Sequence, residues 1–457
     1  MLERLFRLSQ HGTDARTEML GGLTTFLTMA YIIVVNPAIL SFAGIPAGPS
    51  TVATILTAVF GSLLMGLYAN RPIAVAPYMG ENAFVAFALT AMGVAWPQAL
   101  GAVFVSGCVF LAATLVGARA WLASAISTSM KHSFAGGIGL FMMLIGLYET
   151  GIVTSFVSGM PAQALLDASG KALRAPDVPL KIGNLRNPEV LLAILGLLLT
   201  ATLLARRVRG AILAGMAATA ALGAMLGLGA APKAFATIPF TGEYTLSGVL
   251  LAMDVRGVLT LPLLPVLLTL FLMGFLDTLG TLVGVGALGG LLDAKGDLPE
   301  IEKPMLVDAL SCMFAGAVGT TTSGAYIESA TGIREGARTG LAAVTTAALF
   351  AASLVFVPLV EPLQRLRYAY APALVVVGLL MAGSLRHIDF DDVTEALPAL
   401  ATVAMMVFSY NIANGLTAGL LLYPVVKLAA GRWSDVSAGS LALAALCGVY
   451  YLFGLPH

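Results

Sequence analysis

The chain has 457 residues, of which 58% are hydrophobic and only 11% charged, and its formal net charge is zero. Soluble domains carry about 25% charged residues, whereas here apolar runs of about 20 residues, the length that crosses a bilayer as a helix, recur from end to end. This excludes an ordinary soluble enzyme, gives no case for a nucleic-acid partner, and indicates an all-α polytopic membrane protein.

The opening stretch MLERLFRLSQHGTDARTE mixes both charge signs and has no cleavage-site pattern, so residues 1–18 read as a retained cytoplasmic lead-in. Spans are expected over 19–41, 50–69, 73–92, 95–116, 121–149, 189–206 and 210–229. A second set is expected over 261–291, 304–319, 321–334, 337–359, 371–386, 392–411 and 413–455. The last piece is broken at NIANG (411–415) and GRWSD (431–435), which suggests one span plus a half-helix. Long polar loops are expected at 150–188 and 230–258, and LDAKGDLPEIEK (292–303) forms a short charged connector. With the N-terminus inside, fifteen Lys and Arg fall on the inner side against eight outside, led by ARRVRG at 205–210. That bias fits a cytoplasmic N-terminus.

Each half has a third segment that is not a clean span: RPIAVAPYMGENAFVAFAL (71–89) and GTTTSGAYIESATGI (319–333). Aligned on the acid, YMGENA faces AYIESA, which places Glu81 opposite Glu328. Two sets of seven spans with interrupted third segments suggest an inverted repeat, since an odd number of spans flips the second copy. Transporters build midplane sites from such discontinuous helices.

Most acids fall in expected loops or at span ends, and three do not: Glu81, Asp277 and Glu328. A charge at mid-bilayer costs roughly 2.5–3.5 kcal/mol, so each is expected to face a cavity or a partner. Thr281 and Gly284 follow Asp277 at helical spacing and give it a small, polar face; helix–helix packing is the plainer reading of that face. Glu328 falls where a short helix starts, and a capping role is its plainer reading. Glu81 and the neighbouring Asn82 rest on the repeat alone, with a cap as the plainer reading of Asn82. A carboxyl in a water-accessible pocket can take a proton on one side and release it on the other, and can accept N–H donors from a flat heterocycle. Asp308 reads as a helix cap, and Arg334 and Arg338 as inside-facing anchors. Trp96, Trp121 and Trp433 read as interface anchors. The single cysteines Cys108, Cys312 and Cys447 read as packing residues, and the four histidines have no metal-ligand spacing.

The chain resembles the nucleobase/ascorbate transporter family, in particular its adenine–guanine–hypoxanthine permease branch. The likeness is carried, in order, by TEMLGGLTTFLTMAYIIVVNPAIL (17–40), PIAVAPYMGENAFVAF (72–87), FLDTLGTLVGV (275–285), TTTSGAYIESATGIREGARTGLAAV (320–344) and LPALATVAMMVFSYNIANGLTAGLL (397–421). It implies fourteen segments in a 7+7 inverted repeat, with a core domain that carries substrate and a gate domain that holds dimer contacts. The implied division is 1–18 lead-in, 19–116 and 261–360 core, 117–229 and 361–457 gate, and 230–260 connector. It implies proton-coupled, elevator-type uptake of purine bases at the cell membrane by a homodimer, with no cofactor and no catalytic or metal site.

By motif position Asp277 and Glu328 match the family's two substrate-binding acids. Thr281, Tyr326 and Ile327 match their neighbours, and Asn82 matches a polar residue of the third span. Tyr78, Met79 and Thr28 are expected to line the same pocket. The chain departs from the branch at Glu81, where relatives are apolar, at Tyr78, where they have glycine, and at Gly274, where an acid is frequent. Asp277, Glu328 and Glu81 are the candidates for proton coupling. Uracil, xanthine or urate transport on the same fold is the alternative, and an anion exchanger or channel a more distant one. An intramembrane aspartyl protease lacks its second aspartate here.

Overall fold

Apolar runs become helices here, and short polar side chains fix where several of them start. Asp14 accepts a hydrogen bond from Thr17 N–H, Ser127 from Met130, Asn187 from Glu189, Thr339 from Leu341, Asp392 from Thr394 and Asn411 from Ala413. Each satisfies an N–H that the first turn leaves unpaired. The computed structural model describes residues 2–117, 121, 125–156, 158, 180–229, 232, 234–293 and 298–453. Most of the expected 150–188 loop, part of the 292–303 connector and His457 lie outside the described residues.

The first half runs α1 (Ala15–Met29), α2 (Ile32–Leu40), α3 (Ala47–Leu67), strand β1 (Val75–Pro77), α4 (Met79–Ala83), a π-helical stretch (Phe84–Leu89), α5 (Trp96–Leu115) and α6 (Thr128–Glu149). Strands β2 (Val153–Ser155) and β3 (Leu180–Ile182) form a small hairpin before α7 (Pro188–Ala205) and α8 (Ala211–Met225). The second half runs α9 (Leu264–Leu288), α10 (Glu302–Val318), β4 (Ser323–Ala325), α11 (Ser329–Arg334) and α12 (Gly340–Ser353). It ends with α13 (Val357–Arg365), α14 (Arg367–Ala382), α15 (Val393–Phe408), α16 (Ile412–Ala429) and α17 (Ala438–Phe453). Among the described residues nine helices are long and apolar enough to cross a membrane, α1 with α2 and α12 with α13 each counting as one.

The expected spans are recovered with local differences. The span expected from 121 has its long helix start at Thr128, because Ser127 caps there. The final piece divides into α16 and α17 at GRWSD, so it is two helices and not one span with a half-helix. Asp308 is not a cap: α10 begins six residues earlier, at Glu302, and Asp308 lies buried inside it. Arg338, expected as an inside-facing anchor, is bonded to neighbouring backbone and to Glu18. Its guanidinium donates to the carbonyls of Ile333 and Ala337, and its N–H is held by buried Glu18 at 2.6 Å.

Helix pairs approach closely through small residues, as expected where lipid offers no hydrophobic drive to associate. A Cβ on Gly139 of α6 would lie 2.6 Å from the carbonyl oxygen of Gly378 in α14, along which α6 packs. α12 reaches α3 in the same manner, where a Cβ on Gly340 would lie 2.0 Å from the Gly66 oxygen.

The feature that positions the site is the crossing of β1 and β4. They pair antiparallel, with Val75 opposite Ala325, Ala76 opposite Gly324 and Pro77 opposite Ser323. The ladder continues symmetrically through Tyr78 N–H to Thr322 O and Tyr326 N–H to Ala74 O, both 2.9 Å. Non-helical backbone at membrane depth is tolerated when its polar groups are satisfied inside protein, and this pairing satisfies them.

Candidate functional site

The twofold relation of the β1–β4 ladder places Tyr78 on Tyr326. It therefore places Gly80 on Glu328, and Glu81 on Ser329. The alignment on the two acids is corrected by one residue: Glu81 is not the counterpart of Glu328. The difference shows in bonding. Ser329 Oγ accepts Ala74 N–H at 2.9 Å, whereas neither carboxylate oxygen of Glu81 has a hydrogen-bond partner.

Asp277 is half-buried on α9, with Thr281 buried one turn on along the same face. Gly274 and Gly284 lie on that face too, and a Cβ on either would meet nothing within 4 Å. Open space therefore borders Asp277. Glu328 sits at the N-cap of α11, half-buried, and accepts a hydrogen bond from Tyr31 Oη at 2.7 Å. Asp277 lies within electrostatic reach of Glu328 and of Glu81.

Tyr78 and Tyr326 flank the acids. Their rings are nearly parallel, at 5° with centroids 6.4 Å apart. Tyr326 hydrogen-bonds the Pro77 carbonyl, and Tyr78 Oη lies 2.9 Å from Thr278 Oγ1. Tyr326 is an electrostatic neighbour of Glu328, Glu81 and Asp277, so all three acids lie around its ring. Neither half-helix has a side chain capping its first turn, which leaves main-chain N–H groups there.

Asn82 is fully buried. Its Nδ2 donates to Asn36 Oδ1 at 2.8 Å and lies 3.7 Å from the buried Met79 sulfur, while its own Oδ1 is unpartnered. Glu81 is 1% exposed. Ile327 is 61% exposed, between buried Tyr326 and Ser329, and so lies at an opening and not within a closed wall. Thr28 bonds Thr331 at 3.1 Å, beyond Glu328 along α11; the residue from its own segment that reaches the acid is Tyr31.

Sequence reasoning missed three residues here. Tyr31 follows Thr28 by one helical turn, so the expectation at Thr28 was close in space. Asn36 is an amide in the apolar stretch VVNPAIL; it donates to Thr54 at 2.7 Å and to Thr320 at 2.9 Å, linking α2 and α3 to the segment before β4. Asp308 was mistaken for a cap. Among the described residues no cluster of His, Cys, Asp and Glu could hold a metal ion.

Chemically, the site offers carboxylates and phenol oxygens as acceptors beside aromatic rings, with open space along the Asp277 face of α9. That suits a planar ligand edged with N–H groups.

A family model described as a permease family matches residues 16–418. The adenine permease AdeQ of Escherichia coli is 38% identical over 450 residues, covering 97% of this chain and 95% of that protein. The guanine/hypoxanthine permease PbuO of Bacillus subtilis is 36% identical over 438 residues, covering 94% and 96%. Among solved structures, the transmembrane domain of the cyanobacterial bicarbonate transporter BicA aligns with a TM-score of 0.60 at 15% identity, covering 88% of this chain and 97% of that one. The murine anion transporter Slc26a9 aligns at 0.61 and 11% identity, covering 91% and 68%. At these identities the structural likeness is one of fold.

Proposed function

The chain belongs to the permease family of nucleobase and ascorbate transporters, as a multi-pass cell-membrane protein and not an enzyme, and from that premise we propose that it imports purine nucleobases: adenine, guanine or hypoxanthine. The observation that carries the proposal is the meeting of Asp277 and Glu328 beside the β1–β4 crossing, with open space along the Asp277 face. A purine presents N–H donors at its edge and a flat face for Tyr78 and Tyr326. The relatives named as adenine and guanine/hypoxanthine permeases support the same ligand class. An inorganic anion is disfavoured, because like charge repels it from these carboxylates.

The proposed transport is proton symport. Asp277 and Glu328 bind base and proton together, and Glu81 is a third proton-coupling group. Asn82, Met79, Thr281 and Ile327 shape the pocket, with Thr28 acting at its edge through Thr331. A core domain (19–116 with 261–360) would carry the site past a gate domain (117–229 with 361–457) by an elevator movement. The gate would also make the homodimer contacts, and the N-terminus would face the cytoplasm.

Uptake of radiolabelled adenine, guanine, hypoxanthine and uracil into liposomes, with and without an inward proton gradient, tests this. Purine accumulation driven by the gradient is expected, with little uracil uptake. Asp277→Asn and Glu328→Gln each remove a charged hydrogen-bond acceptor worth about 1.5–3 kcal/mol, or roughly 10–100-fold in affinity. Wild-type uptake by both variants sinks the assigned roles.

A further inference from the structure

Asp308 is fully buried inside α10, and one of its oxygens organises both halves of the site. Oδ2 accepts two hydrogen bonds, each 2.8 Å: one from Thr278 Oγ1 and one from Ala325 N–H. Thr278 directly follows Asp277, and Ala325 ends the strand that leads to Glu328. The same oxygen therefore ties the helix of one substrate acid to the approach of the other.

This arrangement also sets a direction. Thr278 has one hydroxyl proton, and Asp308 takes it. In the 2.9 Å contact between Thr278 and Tyr78, the tyrosine must then be the donor. Its oxygen is left with a lone pair and no proton for a ligand. The other two phenols near the acids are committed in the same way, Tyr31 to Glu328 Oε1 and Tyr326 to the Pro77 carbonyl. Toward a ligand, the phenols, whose protons are used within the protein, and the ionised carboxylates therefore present acceptors and no donors.

We propose that Asp308 is the positioning residue that fixes this polarity, and that the site consequently favours bases with more N–H donors, guanine and adenine, over hypoxanthine. The inference rests on the purine reading above. Guanine and hypoxanthine make the sharpest comparison, because they differ only by the amino group that guanine adds.

The test is equilibrium binding of both bases to purified detergent-solubilised protein, alongside liposome uptake. Wild type should bind guanine about tenfold more tightly than hypoxanthine, the worth of one well-made hydrogen bond. Thr278→Val removes the relay at nearly constant shape and frees the Tyr78 proton to turn toward the ligand. It should lower the guanine-to-hypoxanthine ratio about fivefold or more, through KM and not the maximal rate. Asp308→Asn can keep both bonds with its amide oxygen and should preserve the ratio; Asp308→Ala cannot and should lose it. An unchanged ratio in Thr278→Val overturns the inference, and so does a preserved ratio in Asp308→Ala. Wild type that binds purines but prefers hypoxanthine overturns the inference alone. Wild type that binds no purine overturns the transport reading and the inference with it.

Discussion

Tyr31 Oη donates to Glu328 Oε1 at 2.7 Å, joining the break between α1 and α2 to the start of the half-helix α11. Tyr31 is buried, so its ring is held by packing and its hydroxyl aims the carboxylate. Tyr31→Phe keeps the ring and deletes one hydrogen bond to a charged group, a loss of about 1.5 kcal/mol. Purine KM is expected to rise roughly tenfold with little change in thermal stability. Uptake kinetics and a melting curve check it, and an unaltered KM shows that Glu328 does not depend on this bond.

Asn36 spends its amide on three elements: Asn82 of α4, Thr54 of α3, and Thr320 ahead of β4. Replacing it with leucine takes the partner from the Asn82 amide and the Thr320 hydroxyl, while Thr54 loses a donor but still donates to the Ser50 carbonyl. Each unsatisfied buried group costs about 1–3 kcal/mol, so Asn36→Leu is expected to destabilise the protein by roughly 2–4 kcal/mol, non-additively with Asn82→Ala. A double-mutant cycle of denaturation midpoints reads the coupling directly. Additive losses contradict a shared network.

Gly324 sits under the Tyr78 ring at the strand crossing. A Cβ there would approach Tyr78 Oη to 2.2 Å and Cζ to 2.5 Å. Gly324→Ala forces the ring off Thr278 or the strands apart, at about 1–3 kcal/mol for overpacking. Lower stability and weaker purine binding are expected, with Tyr78→Ala in the same chain restoring stability but not binding. If stability stays low in the double variant, the clash with Tyr78 is not the cause.

How much of this was legible before folding differs from residue to residue. Asp277 and Glu328 stood out because a lone carboxylate in an apolar run has few structural excuses. The interrupted segments showed in their glycines and prolines, and the breaks at NIANG and GRWSD in their turn residues. The register did not show: Glu81 and Glu328 look alike in a line of letters, while the strand ladder pairs by backbone and sets them one residue out of step. Asp308 was hidden because an acid near a helix start looks like a cap, and its partners Thr278 and Ala325 lie on other elements. Tyr31 and Asn36 resembled ordinary interior residues, since their roles exist only across elements far apart in sequence.

Outside the membrane-spanning helices, the Thr394 hydroxyl and backbone N–H, helped by Arg432 and Lys427, hold the Asp392 carboxyl well below the usual carboxylate range. A depressed folded value means the ionised group stabilises the fold at neutral pH. That contribution is full above the unfolded value of about 4 and is lost as pH falls through the depressed one. Asp392→Asn keeps an oxygen for Thr394 but gives up the charge. Its melting temperature should lie below wild type at pH 7, and the gap should close in acid below pH of about 4. A gap constant from neutral pH into that acid range rules out the ionised carboxylate as its source.

Glu81 sets stability against the function proposed for it. Both oxygens are buried without a hydrogen-bond partner, beside Asp277, and a buried unsatisfied polar group costs about 1–3 kcal/mol. Such a cost persists at functional sites where the group has work to do. Glu81→Leu should therefore stabilise the protein by about 1–3 kcal/mol, since leucine needs no partner. If Glu81 couples protons as proposed, the same change should flatten the dependence of purine uptake on external pH. Melting curves and initial uptake rates across a pH series measure the two effects separately. If Glu81→Leu raises stability but leaves rate, specificity and pH dependence at wild-type values, Glu81 takes no part in coupling.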